Sequence, residues 1–410
     1  MSNAYPALSD MFGLNREKKI AESGIRNIFT PHRPIAERDL LFGRQAEVRS
    51  VIETLNTPGQ HVLLYGERGV GKSSIANVTS SLVEVVMRKR VFSKRCDSSD
   101  TFESILYGPL AEVGADLTLV NVTEQDDKAG GLDFKVINGH LAKSIVATYA
   151  ASHSLSPSTV AEAVGGIDGL LVVDEADAIG NPEDRRKLAE LIKLLSDAGA
   201  SLKVMVVGIA ETGDDLTAAH PSVQRCLRET KLDRMSSAEL TEIITNGGPK
   251  AGLAFSDTVT TAIVRLSAGY PHFTHLIALK CAEEAVAQDR AEINDDHLKH
   301  ALELAVRDAE GTLKREYNEA TRSAGTDMYK NIVLAAASLD AEEFNASSLR
   351  DAIDRITGGS ISQGSLNNFL IRLVSDDRQA ILTRTAKGVY RFTDPRMASY
   401  ARMYNALAVL

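Results

Sequence analysis

HVLLYGERGVGKSSIANV, residues His61 to Val78, decides the fold of this 410-residue chain. An apolar run ends at Tyr65 and leads into a glycine-rich turn, a lysine and two serines. Their spacing matches the phosphate-loop pattern G-x-x-x-x-G-K-[ST]. Residues 73–87 contain no Pro or Gly and repeat apolar residues at helical spacing. The stretch therefore predicts a buried strand, a phosphate-binding loop and a helix, in that order.

The composition of this loop follows from what phosphate binding requires. Backbone N–H groups must turn toward phosphate oxygens, and glycine tolerates the positive φ angles that this needs. The helix that follows offers its positively polarised N-terminus to an anion. We expect Lys72 to reach the β- and γ-phosphates and Ser73 to bind Mg²⁺; a plain glycine turn is the alternative. The nucleotide-binding residues predicted from the loop are Gly66, Glu67, Arg68, Gly69, Val70, Gly71, Lys72, Ser73 and Ser74.

A second segment, GLLVVDEADAIG at residues 169–180, supplies two carboxylates. Its four apolar residues predict a buried strand that ends in Asp174 and Glu175. At the carboxyl end of a parallel strand both acids would face the ligand crevice. We expect Asp174 to hold Mg²⁺ through water, and Glu175 to orient and deprotonate the attacking water. The alternative is a strand followed by an acidic helix cap.

The loop and the VVDEAD strand end together resemble the AAA+ ATPases over roughly residues 35–300. The resemblance implies an α/β fold: a P-loop AAA+ three-layer core with a parallel five-stranded sheet, followed by a helical lid. It also implies ATP and Mg²⁺ as cofactors and hydrolysis of ATP to ADP and phosphate. Further strands are expected at residues 90–98, within 201–215 and around Lys231. The nucleotide-binding subdomain is then expected at residues 35–235, after an N-terminal extension of residues 1–34.

The resemblance also assigns residues beside the adenine. The segment RPIAERDLLFGRQAEVRSVIETL, residues 33–55, looks like the N-terminal box of the family. Pro34, Ile35 and Leu41 are the expected adenine contacts. An ordinary capping turn is the alternative.

The two sensor positions of the family are irregular in this chain. The first should be polar and lie at the end of the fourth strand, where residues 208–210 read Gly-Ile-Ala; the nearest polar residues are Glu211 and Thr212. The second lies in a Gly-x-Pro-Arg type element, and here GYPH puts His272 in place of arginine. A neutral imidazole can hydrogen-bond a phosphate but carries no permanent charge. His272 is therefore a candidate nucleotide contact, with plain packing as the alternative, and His275 is a weaker candidate.

The resemblance further implies an arginine that reaches the γ-phosphate of a neighbouring subunit. Arg225 is our choice and Arg228 the second, both expected before a short fifth strand. A guanidinium suits this role because it stays charged and binds phosphate oxygens in a fork. A solvated helix face is the alternative. With Glu175 and Lys72, Arg225 completes the predicted catalytic set and implies a homo-oligomer, either a ring or a filament.

Two further segments complete the predicted core. The interval between the loop and the acid pair is long, so an insertion is expected at about residues 116–166, with Ser156 or Ser158 capping a helix. The helical lid is expected at residues 236–308. Its four helices are predicted at residues 237–245, 256–267, 270–288 and 294–307.

After a connector at residues 309–326, the segment 327–410 has its own pattern. Helices are predicted at residues 327–339, 346–355 and 362–373, followed by a hairpin with Gly388 at its turn. This order resembles a C-terminal winged helix-turn-helix domain. The resemblance makes residues 362–374 a recognition helix. Its expected polar contacts are Ser365, Asn367, Asn368 and Arg372, with wing contacts to phosphates from Arg384, Lys387 and Arg391.

Charge leaves the use of this domain open. Residues 321–410 carry 11 Lys and Arg against 9 Asp and Glu, a net charge of +2, which is mild for a DNA-binding domain. Packing or protein binding is therefore the alternative. The basic segment 87–95 is another candidate patch, with an exposed helix end as its alternative.

Whole-chain properties limit the class of protein. The formal net charge of -9 excludes a basic nucleic-acid coat protein but not a local DNA-binding face. Cys96, Cys226 and Cys281 are too far apart for a CxxC zinc site or a disulfide framework, which favours a reducing cytoplasm. We expect no signal peptide and no membrane span, since no run reaches about 18 apolar residues. A cytoplasmic protein is the expectation.

These features favour an ATP-dependent oligomeric switch on DNA. An AAA+ core with a C-terminal winged helix resembles the origin-recognition and initiator ATPases and the AAA+ regulators of transposition, which implies double-stranded DNA and a transposase as candidate partners. The competing class is a STAND-like signalling ATPase, in which nucleotide state gates a protein effector. A nucleotide binder without hydrolysis is a third reading, because both sensor positions depart from the family.

Overall fold

The computed structural model describes residues 13–113, 155–209, 221–309, 311–323, 325–339, 341–375 and 380–409. Glu211, Thr212 and most of the predicted insertion lie outside these residues. The strands are β1 (His61–Gly66), β2 (Arg90–Arg95), β3 (Gly169–Asp174), β4 (Lys203–Gly208), β5 (Leu227–Leu232), β6 (Ala254–Phe255), β7 (Glu292–Ile293), β8 (Phe344–Asn345), β9 (Leu382–Ala386) and β10 (Val389–Phe392).

The helices of the first half are mostly short, except for those that flank the sheet. They are α1 (Leu14–Ser23), α2 (Ile25–Ile28), α3 (Gln45–Asn56), α4 (Lys72–Val85), α5 (Phe102–Ile105), α6 (Tyr107–Glu112), α7 (Pro157–Val164) and α8 (Pro182–Asp197). The second half contains α9 (Ser237–Lys250), α10 (Asp257–Ser267), α11 (Pro271–Ala287), α12 (Asp295–Asp308), α13 (Gly311–Thr321), α14 (Met328–Ser338), α15 (Ala346–Thr357), α16 (Gln363–Leu373) and α17 (Met397–Val409). Among the described residues no helix is long and apolar enough to cross a membrane.

The chain forms two compact units. Residues 35–67 and 72–233 make up the first, which we call the α/β unit. The rest of the described residues, including residues 68–71 of the glycine loop, make up the second, which we call the helical unit. The predicted lid and C-terminal segment therefore lie in the same unit.

A parallel five-stranded sheet forms the centre of the α/β unit, as the sequence predicted. Its strand order is β2-β3-β4-β1-β5. The three inner strands are apolar and almost wholly buried, as strands covered on both faces must be. Because the strands are parallel, their carboxyl ends lie at one edge. The loop after β1 and the acids after β3 therefore share that edge.

Two local findings refine the predicted α/β elements. β5 begins at Leu227, so Arg228 lies on the strand and not before it as expected. An edge strand accommodates such a residue because one row of its side chains faces solvent. Helix α7 has Ser156 as its N-cap, with the Ser156 hydroxyl accepting from the Thr159 N–H at 3.2 Å.

The helical unit begins with two N-terminal helices that pack on α11. Ion pairs join Arg16 to Glu284 at 3.0 Å and Arg26 to Glu283 at 2.7 Å. Helices α9 to α12 correspond to the four helices predicted for the lid, and α9 continues five residues further than expected, to Lys250. The predicted connector contains a helix of its own, α13.

The C-terminal part contains the three predicted helices, α14 to α16, and a three-stranded sheet of order β8-β10-β9. The short strand β8 and helix α17 were not predicted. Helix α17 joins this part to α10: the Ser399 hydroxyl donates to the Ser267 carbonyl at 2.8 Å, and Arg402 donates to the carbonyls of Arg265 and Ala337 at 2.9 and 2.6 Å. One helix thus satisfies carbonyls near the ends of two others.

Candidate nucleotide-binding site

The glycines of the loop adopt conformations that other residues avoid. Gly66, Gly69 and Gly71 have φ angles of 154°, 84° and 100°. A Cβ added to Gly66 would lie 2.3 Å from the carbonyl oxygen of Leu232 on β5, a contact that backbone atoms cannot relieve without moving. The loop therefore needs glycine at these positions. A loop whose N–H groups turn inward toward a phosphate has the same requirement.

Lys72 is the first residue of α4 and folds back over the loop. Its ammonium nitrogen lies 2.8 Å from the Gly66 carbonyl oxygen and 2.7 Å from that of Glu67. The backbone thus orients a positive charge at the N-terminal end of α4. An anion at this end would meet both that charge and the helix N-terminus.

Ser73 and Asp174 come together although they are far apart in sequence. The Ser73 side chain lies close to the Asp174 carboxylate, and the Glu175 N–H donates to the same carboxylate at 2.9 Å. Burial raises the pKa of Asp174, while these two neighbours oppose the rise. A hydroxyl and a carboxylate are oxygen ligands suited to Mg²⁺. The residues present therefore fit the predicted magnesium ion.

Glu175 is held in an unusual way. It has a φ of 56°, the left-handed region that few residues other than glycine adopt, and its carboxylate accepts from Arg95 at 2.6 Å. Arg95 ends β2, which pairs with β3, and the Glu175 carboxylate raises the pKa of Arg95. The side chains are 69% exposed for Arg95 and 44% exposed for Glu175. The sequence analysis missed this partner.

The predicted adenine-side residues have mixed surroundings. The Ile35 N–H donates to the Ser74 hydroxyl at 3.1 Å, which ties the start of the N-terminal box to helix α4. Ile35 is half-buried, whereas Leu41 is buried in the core. Pro34 is exposed and belongs to the helical unit.

The two candidate arginines differ in their contacts. Arg225 pairs with Asp197 at 3.0 Å, and its side chain remains 68% exposed. Arg228 is exposed on β5, and its side chain has no hydrogen bond or ion pair with the described residues. Both line an open cleft beside α3 and β5.

The candidate histidines of the helical unit bind the N-terminal segment. His272 Nδ1 donates to the Pro31 carbonyl at 2.8 Å. His275 Nδ1 accepts from the Thr30 N–H at 3.2 Å, and burial, with a smaller effect of His272, lowers the pKa of His275 to about 4. His275 is therefore neutral at neutral pH.

The cations that were candidates for DNA binding are partly engaged by contacts within the chain. In the basic segment, Lys89, Arg90 and Lys94 pair with acidic residues of the α/β unit, as Arg95 does. Arg372 on α16 donates to the Arg322 carbonyl at 2.6 Å and lies 4.2 Å from the ring centroid of Tyr329. The segment 87–95 is thus largely neutralised, and Arg372 is engaged by the connector and by α14.

Comparison with solved structures identifies the fold. A Walker-type ATPase of Pyrococcus abyssi superposes with a TM-score of 0.52 at 18% identity, covering 92% of this chain and 99% of that one. The ORC2 protein of Aeropyrum pernix gives a TM-score of 0.48 at 15% identity, covering 93% and 98%. Comparison with curated proteins gives no match. The likeness to the Pyrococcus protein shows a shared fold, that of the P-loop AAA+ ATPases, and does not extend to function.

A family comparison covers the larger part of the chain. The profile of Novel STAND NTPase 1 matches residues 33–321, a range that begins with the N-terminal box segment and ends with α13. It contains the glycine loop, both acids and the helices predicted for the lid. By this match the chain belongs to the family of Novel STAND NTPase 1.

Proposed function

We propose that this protein binds ATP with Mg²⁺, hydrolyses it, and uses the nucleotide state as a molecular switch. The observation that carries the proposal is the position of the Ser73 side chain beside Asp174, which brings the start of the loop helix to the end of the acid strand. Membership of an NTPase family supports the same chemistry. The predicted roles of the individual residues are part of the proposal.

The proposed mechanism assigns one task to each group. Lys72 and the loop N–H groups bind the β- and γ-phosphates, and Ser73 and Asp174 hold Mg²⁺, which supplies charge neutralisation at the phosphates. Glu175 orients the attacking water and takes its proton. Before it can do so, its carboxylate must leave Arg95, since the 2.6 Å hydrogen bond occupies one of its oxygens.

Catalysis is proposed to be completed by a second subunit. Arg225 and Arg228 lie on the same exposed face of the α/β unit, where either could reach a neighbouring copy. Arg225 would first have to leave Asp197, whereas Arg228 has no such partner among the described residues. A ring or filament with nucleotide between subunits follows from this proposal.

For the output, we favour the gating of a protein effector over DNA binding. The match to a STAND family supports this choice. So does Arg372, the only cation of the proposed recognition helix, because the Arg322 carbonyl and the ring of Tyr329 already engage its guanidinium. In this proposal, residues 327–410 form a winged helix that contacts protein and not DNA. A transposase as partner stays a prediction.

DNA binding is the second candidate, and the proposed wing favours it. The side chains of Lys387 and Arg391 have no hydrogen bond or ion pair with the described residues, so both are available to phosphates. Duplex binding should then require ATP and weaken steeply with salt. Mobility shifts with ATP, ADP and no nucleotide, on the wild type and on the Lys387→Ala, Arg391→Ala double variant, decide between the candidates. Binding that is absent in every nucleotide state rules out DNA.

Calorimetric titration of ATP·Mg²⁺ tests nucleotide binding itself. The Lys72→Ala variant should lose binding by at least about 100-fold, since a phosphate loses its charged partner in a preformed site. Lys314→Ala, an exposed lysine on α13, is the matched control and should bind as the wild type does. Equal affinities for wild type and Lys72→Ala would exclude the proposed site.

A further inference from the structure

Arg44 is a buried cation for which the proposed mechanism has no use. Its side chain is only 6% exposed, and the residue is the N-cap of α3, three residues after Leu41, the last of the proposed adenine contacts. A guanidinium keeps its charge in any environment, so burying it is costly without partners. Its contacts therefore indicate what it holds in place.

Two hydrogen bonds of the Arg44 guanidinium bear on the phosphate loop. One nitrogen donates to the Glu47 carboxylate at 2.8 Å, within the first turn of α3. Another donates to the backbone carbonyl of Asp233 at 2.5 Å, 189 residues further along the chain. The first bond orients the guanidinium, and the second connects α3 to the residue that follows β5.

The end of β5 is the neighbour of the first glycine of the phosphate loop. Among the described strands, β5 lies at the edge of the five-stranded sheet and pairs with β1. Its last residue, Leu232, is in register with Gly66. The Leu232 carbonyl lies so close to Gly66 that no Cβ could fit between them. A displacement of the Asp233 backbone would therefore be transmitted to Gly66 through Leu232.

We propose that Arg44 is a positioning residue for the phosphate loop. By holding the Asp233 carbonyl, it fixes the end of β5, and the end of β5 in turn supports the backbone of Gly66. Arg44 touches no reacting atom in this arrangement. The inference rests on the proposed function, because it concerns the geometry of the loop that is proposed to bind ATP.

A double-mutant cycle with Gly66→Ala tests this coupling. Arg44→Ala should weaken ATP·Mg²⁺ binding by about tenfold, the usual effect of losing one charged hydrogen bond. Gly66→Ala should weaken binding because its methyl displaces the Leu232 carbonyl. Once Arg44 is absent, β5 can move away from that methyl. The double variant should therefore bind several-fold better than the product of the two single effects.

Controls separate positioning from general stability. Arg49→Ala removes an exposed arginine of the same helix and should leave affinity unchanged, alone and in the Gly66→Ala background. Arg44→Lys should fall between wild type and Arg44→Ala, since an ammonium cannot reproduce the fork of a guanidinium. All titrations are made well below the melting temperature of each variant. If Arg44→Ala does not fold, Arg44→Lys takes its place in the cycle.

The outcomes distinguish this inference from the function on which it rests. Wild type that binds no ATP removes the proposed function. If the wild type binds ATP but the fold-changes of the two single variants simply multiply in the double variant, the role of Arg44 is refuted. The proposed function then still stands. In steady-state kinetics, Arg44→Ala should raise KM far more than it lowers kcat; an effect on kcat alone would also overturn the proposal.

Discussion

Removing Arg95 should make this protein a faster ATPase. In the structure Arg95 holds the Glu175 carboxylate at 2.6 Å, and the proposed general base must break this bond in each cycle. Both side chains are well exposed, at 69% and 44%, so the pair has the strength of a surface ion pair, about 0.5–1 kcal/mol. If that energy is part of the barrier, Arg95→Ala should raise kcat by about two- to fivefold.

The assay is steady-state phosphate release at saturating ATP and Mg²⁺. Arg186→Ala, which removes a surface arginine paired with Glu183, is the control and should leave kcat unchanged. Salt offers an independent check, because screening weakens exposed ion pairs. Raising ionic strength should speed the wild type toward the rate of Arg95→Ala, with little effect on the variant. An Arg95→Ala variant slower than wild type would refute the reasoning, since Arg95 would then assist the reaction.

Three further predictions follow from single contacts. Mixing Arg225→Ala or Arg228→Ala subunits with Glu175→Gln subunits should restore hydrolysis if that arginine acts across an interface; phosphate release no higher than the sum of the separate variants would exclude it. His275 has a pKa of about 4 in the folded state and about 6.5 in the unfolded state, so the free energy of unfolding should decrease as the pH is lowered through that window. This residue should contribute a loss of about 2 kcal/mol between pH 6.5 and 5. His275→Asn can still accept from Thr30, and urea denaturation should show a flatter pH dependence; an unchanged slope would contradict the assigned pKa. The buried Tyr400 hydroxyl has no hydrogen-bond partner among the residues that the structure describes, so Tyr400→Phe should melt at the same temperature or higher. A clear fall in melting temperature would show that the hydroxyl has a partner.

The parts that could be predicted from the sequence are those encoded locally. Strand, glycine loop and helix follow one another within 18 residues, and the second acid strand carries its own apolar run. The strand preferences of an edge strand are weaker, because half of its side chains face solvent. Because β5 mixes polar and apolar residues, its first residue could not be predicted from the sequence. Arg228 was therefore expected before β5, although it lies on the strand.

Contacts between distant residues could not be predicted in this way. Arg95 meets Glu175 only because β2 pairs with β3, a choice that depends on the whole sheet. The ring of His272 meets Pro31, 241 residues away, in a segment with no motif to mark it. Arg44 was part of a quoted motif, yet its importance appears only when β5 brings Asp233 to it.

The central claim has two parts. Glu175 is the general base for ATP hydrolysis, and the phosphate loop binds ATP without help from Glu175. The most direct measurement compares wild type with Glu175→Gln in two assays of the same sample: titration of ATP·Mg²⁺ and single-turnover hydrolysis. We predict affinities within about threefold of each other and hydrolysis slowed by about 10²- to 10⁴-fold, the range for loss of a general base. Hydrolysis by Glu175→Gln at the wild-type rate would contradict the account.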